Sequence, residues 1–471
     1  MAVSKCGAPI DSRRFRLAAV SIAIVAVLAT RTAFAQTAHG PPPPPRASPP
    51  SPHVAPTVAT TGSLPPPVDA LAPGPRTTLR DALEHSLARH PSIEIAEAEI
   101  RRARALLEQV RSSSLPTLTG IASYTRLDHD RVLNGNSILP ANQLNASAVF
   151  TAPLVVPAQW LHWSQARENV DVARASAASV RQRLATEVAS AYLAILAERN
   201  VIAALEHGRD NARAHFGVAH ARYTGAIGSR LDEVRAAQEV AVIETQLESA
   251  MADLSRAREA LGVVVGVNGP LDAADEPPLD RPVPLAAALG GVNQLRADVR
   301  QLDAARRLAD RVARESWADY LPSLGAVFQP FTQNPPTLTQ PQFGWQAVVL
   351  LTVPIFDGLY REGTRHERQA LATESRASLE QLVRQARAEV RAAFESVVRA
   401  DAALLRARVS AQLAADTLSL ANLSYRVGTA TGLDVLDAER AALDADTGVA
   451  AAADAARRAR LALLTASGRF P

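Results

Sequence analysis

The chain has few thiols, amines or rings. Cys6 is its only cysteine and lies upstream of a predicted cleavage point. The mature chain would therefore hold no disulfide and no cysteine-based metal or redox site. Lys5 is the only lysine, so arginine carries the positive charge. Those arginines alternate with Glu and Asp along helical stretches and the net charge is only +3, which fits solvated helix faces and not a nucleic-acid surface. Aromatics make up 4% of the chain, too few for large ring-rich cores, although hydrophobic residues reach 47%. Alanine fills the difference and favours closely packed helices. Nothing after residue 36 is apolar for long enough to be a membrane-spanning helix. There is no glycine-rich phosphate loop, nucleophile elbow or acid–base carboxylate pair. The histidines have no zinc-site spacing. Asp128-His129-Asp130 falls between two predicted strands and reads as a solvated loop. The expectation is a protein that is not an enzyme, with no catalytic residue, cofactor or metal.

The N-terminus is an address. Arg13, Arg14 and Arg16 precede an apolar run, Leu17 to Ala29, and Ala33-Phe34-Ala35 forms an A-x-A cleavage site. Residues 1–35 are thus a signal peptide, and no cysteine follows the cut to take a lipid. Residues 36–76, with Pro41 to Pro45 in a row, read as a proline-rich disordered linker.

The rest of the chain says the same thing twice. Leu115-Pro116-Thr117-Leu118 returns as Leu321-Pro322-Ser323-Leu324. Phe150-Thr151-Ala152-Pro153-Leu154 returns as Leu351-Thr352-Val353-Pro354-Ile355. Arg222-Tyr223 running into Ser229–Asp232 returns as Tyr425-Arg426 running into Thr431–Asp434. Pro116 to Pro322, Pro153 to Pro354 and Asp232 to Asp434 are offsets of 206, 201 and 202 residues, a register that only a duplicated unit keeps. The repeats span 77–262 and 292–467, with a proline-rich connector at 263–291.

Each repeat reads helix, strand pair, very long helix, short helix. Leu79–Ser114 is helical by pattern and stops before Pro116. Strands are predicted at 117–127 and 142–151, where Leu144, Ala146, Ala148 and Phe150 alternate with Asn145, Ser147 and Val149. The second repeat has Leu324, Ala326 and Phe328 on one strand face. Phe343, Trp345, Ala347, Val349 and Leu351 lie on another. The long helices run from about 161 to 223 and 359 to 425, each roughly 95–100 Å at 1.5 Å per residue. Val383, Val390, Val397 and Leu404 recur every seven residues, as do Val170, Ala177, Leu184 and Ala191, which is a coiled-coil seam. Short helices at 229–261, 294–320 and 433–466 complete the set and can stack end to end beside a long one.

Four strands cannot close a membrane barrel, and open strand edges are not tolerated in lipid. An exported chain of this kind either buries its strands in water or pools them with other copies. Three copies would supply twelve. A soluble periplasmic coiled-coil adaptor or scaffold is the rival reading, but an adaptor would show one helical hairpin flanked by β-rich domains, not two equivalent units. An exported hydrolase on a helical stalk lacks a catalytic constellation.

Leu-Pro-x-Leu, Thr352–Gly358 and Tyr425–Asp437 together resemble the TolC-like outer-membrane efflux proteins, over about Thr77 to Ser467. The resemblance implies a mainly α fold with a small β part: a trimeric twelve-stranded outer-membrane β-barrel continued by a periplasmic α-helical barrel. It implies an exit duct for tripartite efflux or type I secretion, resident in the outer membrane and its lipid. The partners implied are two more copies, a periplasmic adaptor and an inner-membrane transporter.

Site residues follow from the duplication and the resemblance together. Pro153 and Pro354 are expected where strand hands over to helix. Trp160, His162 and Trp163 suit either the lipid interface or the helix packing. The turns holding Tyr223, Gly225, Ser229, Asp232, Tyr425, Gly428 and Thr431 are expected at the periplasmic tip, as the adaptor's docking points. Ser229-x-x-Asp232 and Thr431-x-x-Asp434 have capping-box spacing, and simple capping is the preferred role for Asp232. Asp434 and Asp437 share a helix face, and the resemblance implies that they form an acidic pore entrance. Ala430 stands where relatives carry a basic latch residue, so that latch is not expected here.

Overall fold

The computed structural model describes residues 74–133, 136–279, 284–337 and 340–470. All belong to one compact unit, Asp69–Pro471. The signal peptide and most of the proline-rich segment lie outside the described residues.

The first repeat opens with a two-residue strand, β1 (Arg76–Thr77), then α1 (Leu79–Arg89) and α2 (Pro91–Ser112). The single helix expected over 79–114 is therefore two. His90 is extended because it precedes Pro91, and its ring then caps α2 by accepting from the Ser92 N–H. Next come β2 (Thr117–Arg126), a small hairpin of β3 (Arg131–Leu133) and β4 (Asn136–Leu139), and β5 (Asn142–Val155). The long helix α3 (Pro157–Thr224) and α4 (Arg230–Val265) follow. The connector holds β6 (Asp272–Ala273), which pairs parallel with β1, so the two ends of the first repeat are tied together. Asp272 sits between Arg199 and Arg258, at 2.6 and 2.9 Å. Burial pushes its carboxyl up, and the two guanidiniums more than cancel that, leaving it below the usual range.

The second repeat consists of α5 (Leu285–Leu295), α6 (Ala297–Glu315), a 3-10 turn (Ser316–Tyr320), β7 (Ser323–Asn334), β8 (Phe343–Thr352), α7 (Tyr360–Val427) and α8 (Gly432–Ala466). The helix expected over 294–320 breaks at Arg296, and α5 begins inside the expected connector. Arg296 earns its extended backbone by reaching three elements: it pairs with Asp298 and Glu389, both at 2.6 Å, and with the Ala466 carbonyl.

The helices form a wall four columns wide. In the half next to the strands the order is α2, α3, α6, α7; in the far half it is α4, α3, α8, α7. Each long helix has 68 residues, roughly 100 Å. The seams are those read from the sequence: Val170, Ala177 and Leu184 are buried in α3, as are Ala386, Val390, Ala393 and Val397 in α7. The strands repeat the column order as an antiparallel sheet, β2-β5-β7-β8.

The register gives the sheet two unlike faces. Leu118 opposes Phe150, which opposes Phe328, which opposes Ala347. Tyr124 opposes Leu144, Ala326 opposes Val349, and Leu324 opposes Leu351 on the same side. Most of these large side chains are exposed, with Leu118 at 73% and Trp345 at 69%. The opposite face is more polar, with Thr119, Ser123, Asn145, Ser147, Gln329 and Gln346 among its members. Apolar out and polar in is the pattern of a strand between lipid and a water-filled lumen.

Candidate functional site

The expected junction role of Pro153 is not met. Pro153 lies within β5, opposite Gly325 and beyond the last residue paired to β2, and the register shifts between Pro153 and Val155. A proline lacks the N–H that a two-sided strand needs, so it sits where β5 has a neighbour on one side only. Pro157, at the first position of α3, marks the handover instead. Pro354 does lie between β8 and α7, and its carbonyl accepts from Arg361 at 3.1 Å. Trp160, in the first turn of α3, is 44% exposed. Trp163 lies under the guanidiniums of Arg111 and Arg167, at 5.1 and 5.8 Å. His162 bonds Gln165 within α3.

At the far end, the α3–α4 and α7–α8 turns close with one geometry. Gly428 takes φ +85°, its N–H reaches the Tyr425 carbonyl and the Thr429 N–H reaches Ser424, a Schellman ending. In the first repeat the residue in that conformation is Ala226, at φ +59°, with Ile227 bonding Arg222. Gly225 has an ordinary φ of −78°. The structural counterpart of Gly428 is therefore Ala226, not Gly225.

The caps also differ. Thr431 and Asp434 form a full capping box: the Asp434 carboxylate accepts from the Thr431 N–H at 2.8 Å and from its hydroxyl at 2.7 Å. The Thr431 N–H and hydroxyl hold the Asp434 carboxyl below the usual range. Ser229 caps alone, through Leu231. Asp232 does not close a box, contrary to expectation. Its carboxylate lies against Gly432 of the other turn, where a Cβ would come within 3.0 Å of its Cγ. Asp437 is exposed on α8, one turn after Asp434.

Three cross-links join the two tips. Arg222 donates to the Tyr425 carbonyl at 2.7 Å and stands 4.5 Å over the Tyr425 ring. Burial raises the pKa of the Tyr425 phenol, and the Arg222 guanidinium opposes that rise. His215 of α3 bonds Glu439 of α8 at 3.1 Å, both buried, with the Tyr425 ring edge-on at 5.5 Å. His215 Nε2 and Glu439 Oε1 have no hydrogen-bond partner among the described residues. Glu239 of α4 pairs with Arg440 of α8 at 2.6 Å. Tyr223 points the other way, under Arg230, which pairs with Glu233; His220 also bonds Glu233, at 2.7 Å, and its hydrogen bond contributes most to holding that carboxyl low. A faint signal existed: Arg222-Tyr223 and Tyr425-Arg426 reverse their order between repeats. Among the described residues no group of three or more His, Cys, Asp or Glu is placed to hold a metal ion.

The arrangement is a wall segment with a lipid-type sheet at one end and a polar, cross-tied tip at the other. The chain belongs to the outer membrane efflux protein family, whose model matches residues 82–267 and again 289–469. It is an outer-membrane efflux channel that extends into the periplasm. Solved structures of the same fold include VceC of Vibrio cholerae, with 19% identity and a TM-score of 0.70 over 83% of this chain and 96% of that one. CmeC of Campylobacter jejuni gives 14% identity and a TM-score of 0.72 over 83% and 86%. The open state of MtrE of Neisseria gonorrhoeae gives 20% and 0.66 over 83% and 88%. No curated protein matches. Both the family and these structures are of channels, not enzymes.

Proposed function

We propose that three copies of this chain close into one duct that receives substrate from an inner-membrane transporter through a periplasmic adaptor. The observation that carries this is that the protomer is unfinished on both sides, at both ends. Strands β2 and β8 are open edges of the sheet. In the far half, toward the tip, the edge columns expose apolar residues: Leu405, Val409, Leu413, Leu420 and Leu423 on α7, and Val234, Val242 and Met251 on α4. On α7 these recur at helical spacing along one stripe, which fits the edge column of the next copy. The adaptor docks on the two polar turns around Gly225–Asp232 and Gly428–Thr431. Asp434 and Asp437 form the entrance, six carboxylates in a trimer. Because Asp434 is held by its own cap, Asp437 carries more of the field that substrate meets. The test is extraction from the outer-membrane fraction in mild detergent, followed by mass measurement. A trimer is expected, and a soluble periplasmic monomer would end this reading.

A further inference from the structure

Just below the sheet, α6, the 3-10 turn and α7 enclose a groove of about 630 Å³. Its wall holds Arg314, Arg365 and Arg376 together with Trp317 and Tyr320. Arg376 is paired with Asp310, and Glu362 accepts from the Tyr320 hydroxyl at 2.8 Å. Arg314 and Arg365 are exposed and make no hydrogen bond or ion pair among the described residues. Two free guanidiniums therefore flank an aromatic shelf in which Trp317 is 57% exposed.

The depth of this groove sets what it meets. Tyr320 is three residues before β7, and α7 begins at Tyr360, eight residues after the end of β8. Leu321 is extended, and Leu324, four residues after Tyr320, lies on the apolar face of the sheet, so the 3-10 turn leads directly into the foot of that face. Ile355, Phe356 and Tyr360 are 90%, 79% and 74% exposed at the same level. Rings and apolar side chains crowded at the foot of an apolar strand face mark the boundary between hydrocarbon and headgroups. Arg365 lies five residues into α7, roughly 8 Å further from the membrane. That is phosphate depth, and arginine's planar fork matches phosphate oxygens.

We propose that this groove is a binding site for the headgroup of an anionic phospholipid of the periplasm-facing leaflet. Arg314 and Arg365 take the phosphate oxygens, and Trp317 and Tyr320 pack against the glycerol and upper chain. Such a site would fix the depth at which the barrel gives way to helices.

The test uses the assembled protein in mild detergent and counts bound lipid by native mass spectrometry, offering phosphatidylglycerol or phosphatidylcholine. The parent should retain phosphatidylglycerol preferentially. Arg314→Gln with Arg365→Gln should lower the apparent affinity about thirtyfold, each arginine near an anionic surface counting for about fivefold. Equal retention by the double variant, or no preference for the anionic lipid, overturns the proposal. Inorganic phosphate displacing the lipid at equal concentration would mean a free-phosphate site and overturns it as well. Should the double variant fail to assemble, the parent still decides. Nitroxide-headgroup lipid should quench part of the tryptophan fluorescence, and Trp317→Phe should remove that part. Unchanged quenching in Trp317→Phe places the groove away from lipid and refutes the site.

Discussion

Arg222 is the side chain whose removal tests the tip most directly. It lies on α3, and both of its contacts are to Tyr425 on α7, so it spans the two repeats. A hydrogen bond from a charged donor is worth about 1.5–3 kcal/mol, and a partly exposed cation–π contact adds about 0.5–1 kcal/mol. Arg222 is half-buried, which argues for the lower end, so Arg222→Ala should cost about 2 kcal/mol per protomer. If the tie holds the entrance narrow, that cost is about a thirtyfold shift toward the loosened tip in each protomer. Single-channel recording in planar bilayers should show larger or longer openings, and intact cells should admit a bulky hydrophilic antibiotic. Arg222→Lys keeps the charge but not the planar stacking, and should fall between parent and Ala. Thermal unfolding separates the rival explanation. A lowered Tm with parental conductance would mean that Arg222 only glues the wall together, and the gating argument fails.

Other consequences follow from the same geometry. Ala226 holds a left-handed conformation, so Ala226→Gly should stabilise by about 0.5–1 kcal/mol in thermal unfolding, while Gly428→Ala should destabilise by a similar amount. Glu at Gly428 should abolish efflux at equal protein level, whereas Glu at Gly225, with its ordinary backbone, should insert normally and interfere only if the adaptor seats there. Asn at both Asp434 and Asp437 should weaken cation selectivity and block by trivalent cations, and the Asp437 single variant should account for most of the change. Asp434 has a lowered pKa, so its cap contributes fully above the ordinary carboxylate value and is lost as pH falls through the lower, folded one. The acid arm of a stability–pH profile should therefore flatten in Asp434→Asn. Asp272→Asn strands two guanidiniums around a buried site and should cost about 3–5 kcal/mol, read as a lower Tm.

The duplication, the long helices and the strand faces were legible because each is written in local periodicity. Val383 through Val397 repeats by sevens and Phe343 through Leu351 by twos, and either pattern survives without knowing what it packs against. The breaks were misread for a different reason. Pro91 ends α1 in plain view, but the apolar pattern on either side stays nearly in phase. The Gly290-Gly291 pair in α5 pointed away from a helix that packing against α7 supports. Pairing of β1 with β6 joins residues almost two hundred apart through two-residue strands, too short to carry a period. At the tip, matching glycine to glycine aligned Gly225 with Gly428, although the turn itself needs a left-handed residue one position later. Beyond the reversed order of Arg222-Tyr223 and Tyr425-Arg426, the cross-links could not be read: Arg222–Tyr425, His215–Glu439 and Glu239–Arg440 are non-local pairs of residue types common on any helix surface.

These cross-links bear on where movement can occur. All of them bind one repeat to the other inside a protomer, so the two hairpins of each copy are fastened along the last few turns of the tip. The faces left without partners are the outer sides of α4 and α7. In the proposed trimer, apolar side chains there would slide against a neighbouring copy with little loss, since burial of that kind has no direction. Directional contacts lie within the protomer and non-directional ones along its edges. On that reading, an entrance built this way would open more readily by protomers shifting against each other as units than by one hairpin uncoiling from its twin. For the twin hairpins to part, Arg222, His215 and Arg440 would have to release together, two of those contacts involving buried carboxylates. Weakening one of the three should therefore change which joint yields first, which is why Arg222, the only one of them that makes no ion pair, is the informative place to cut.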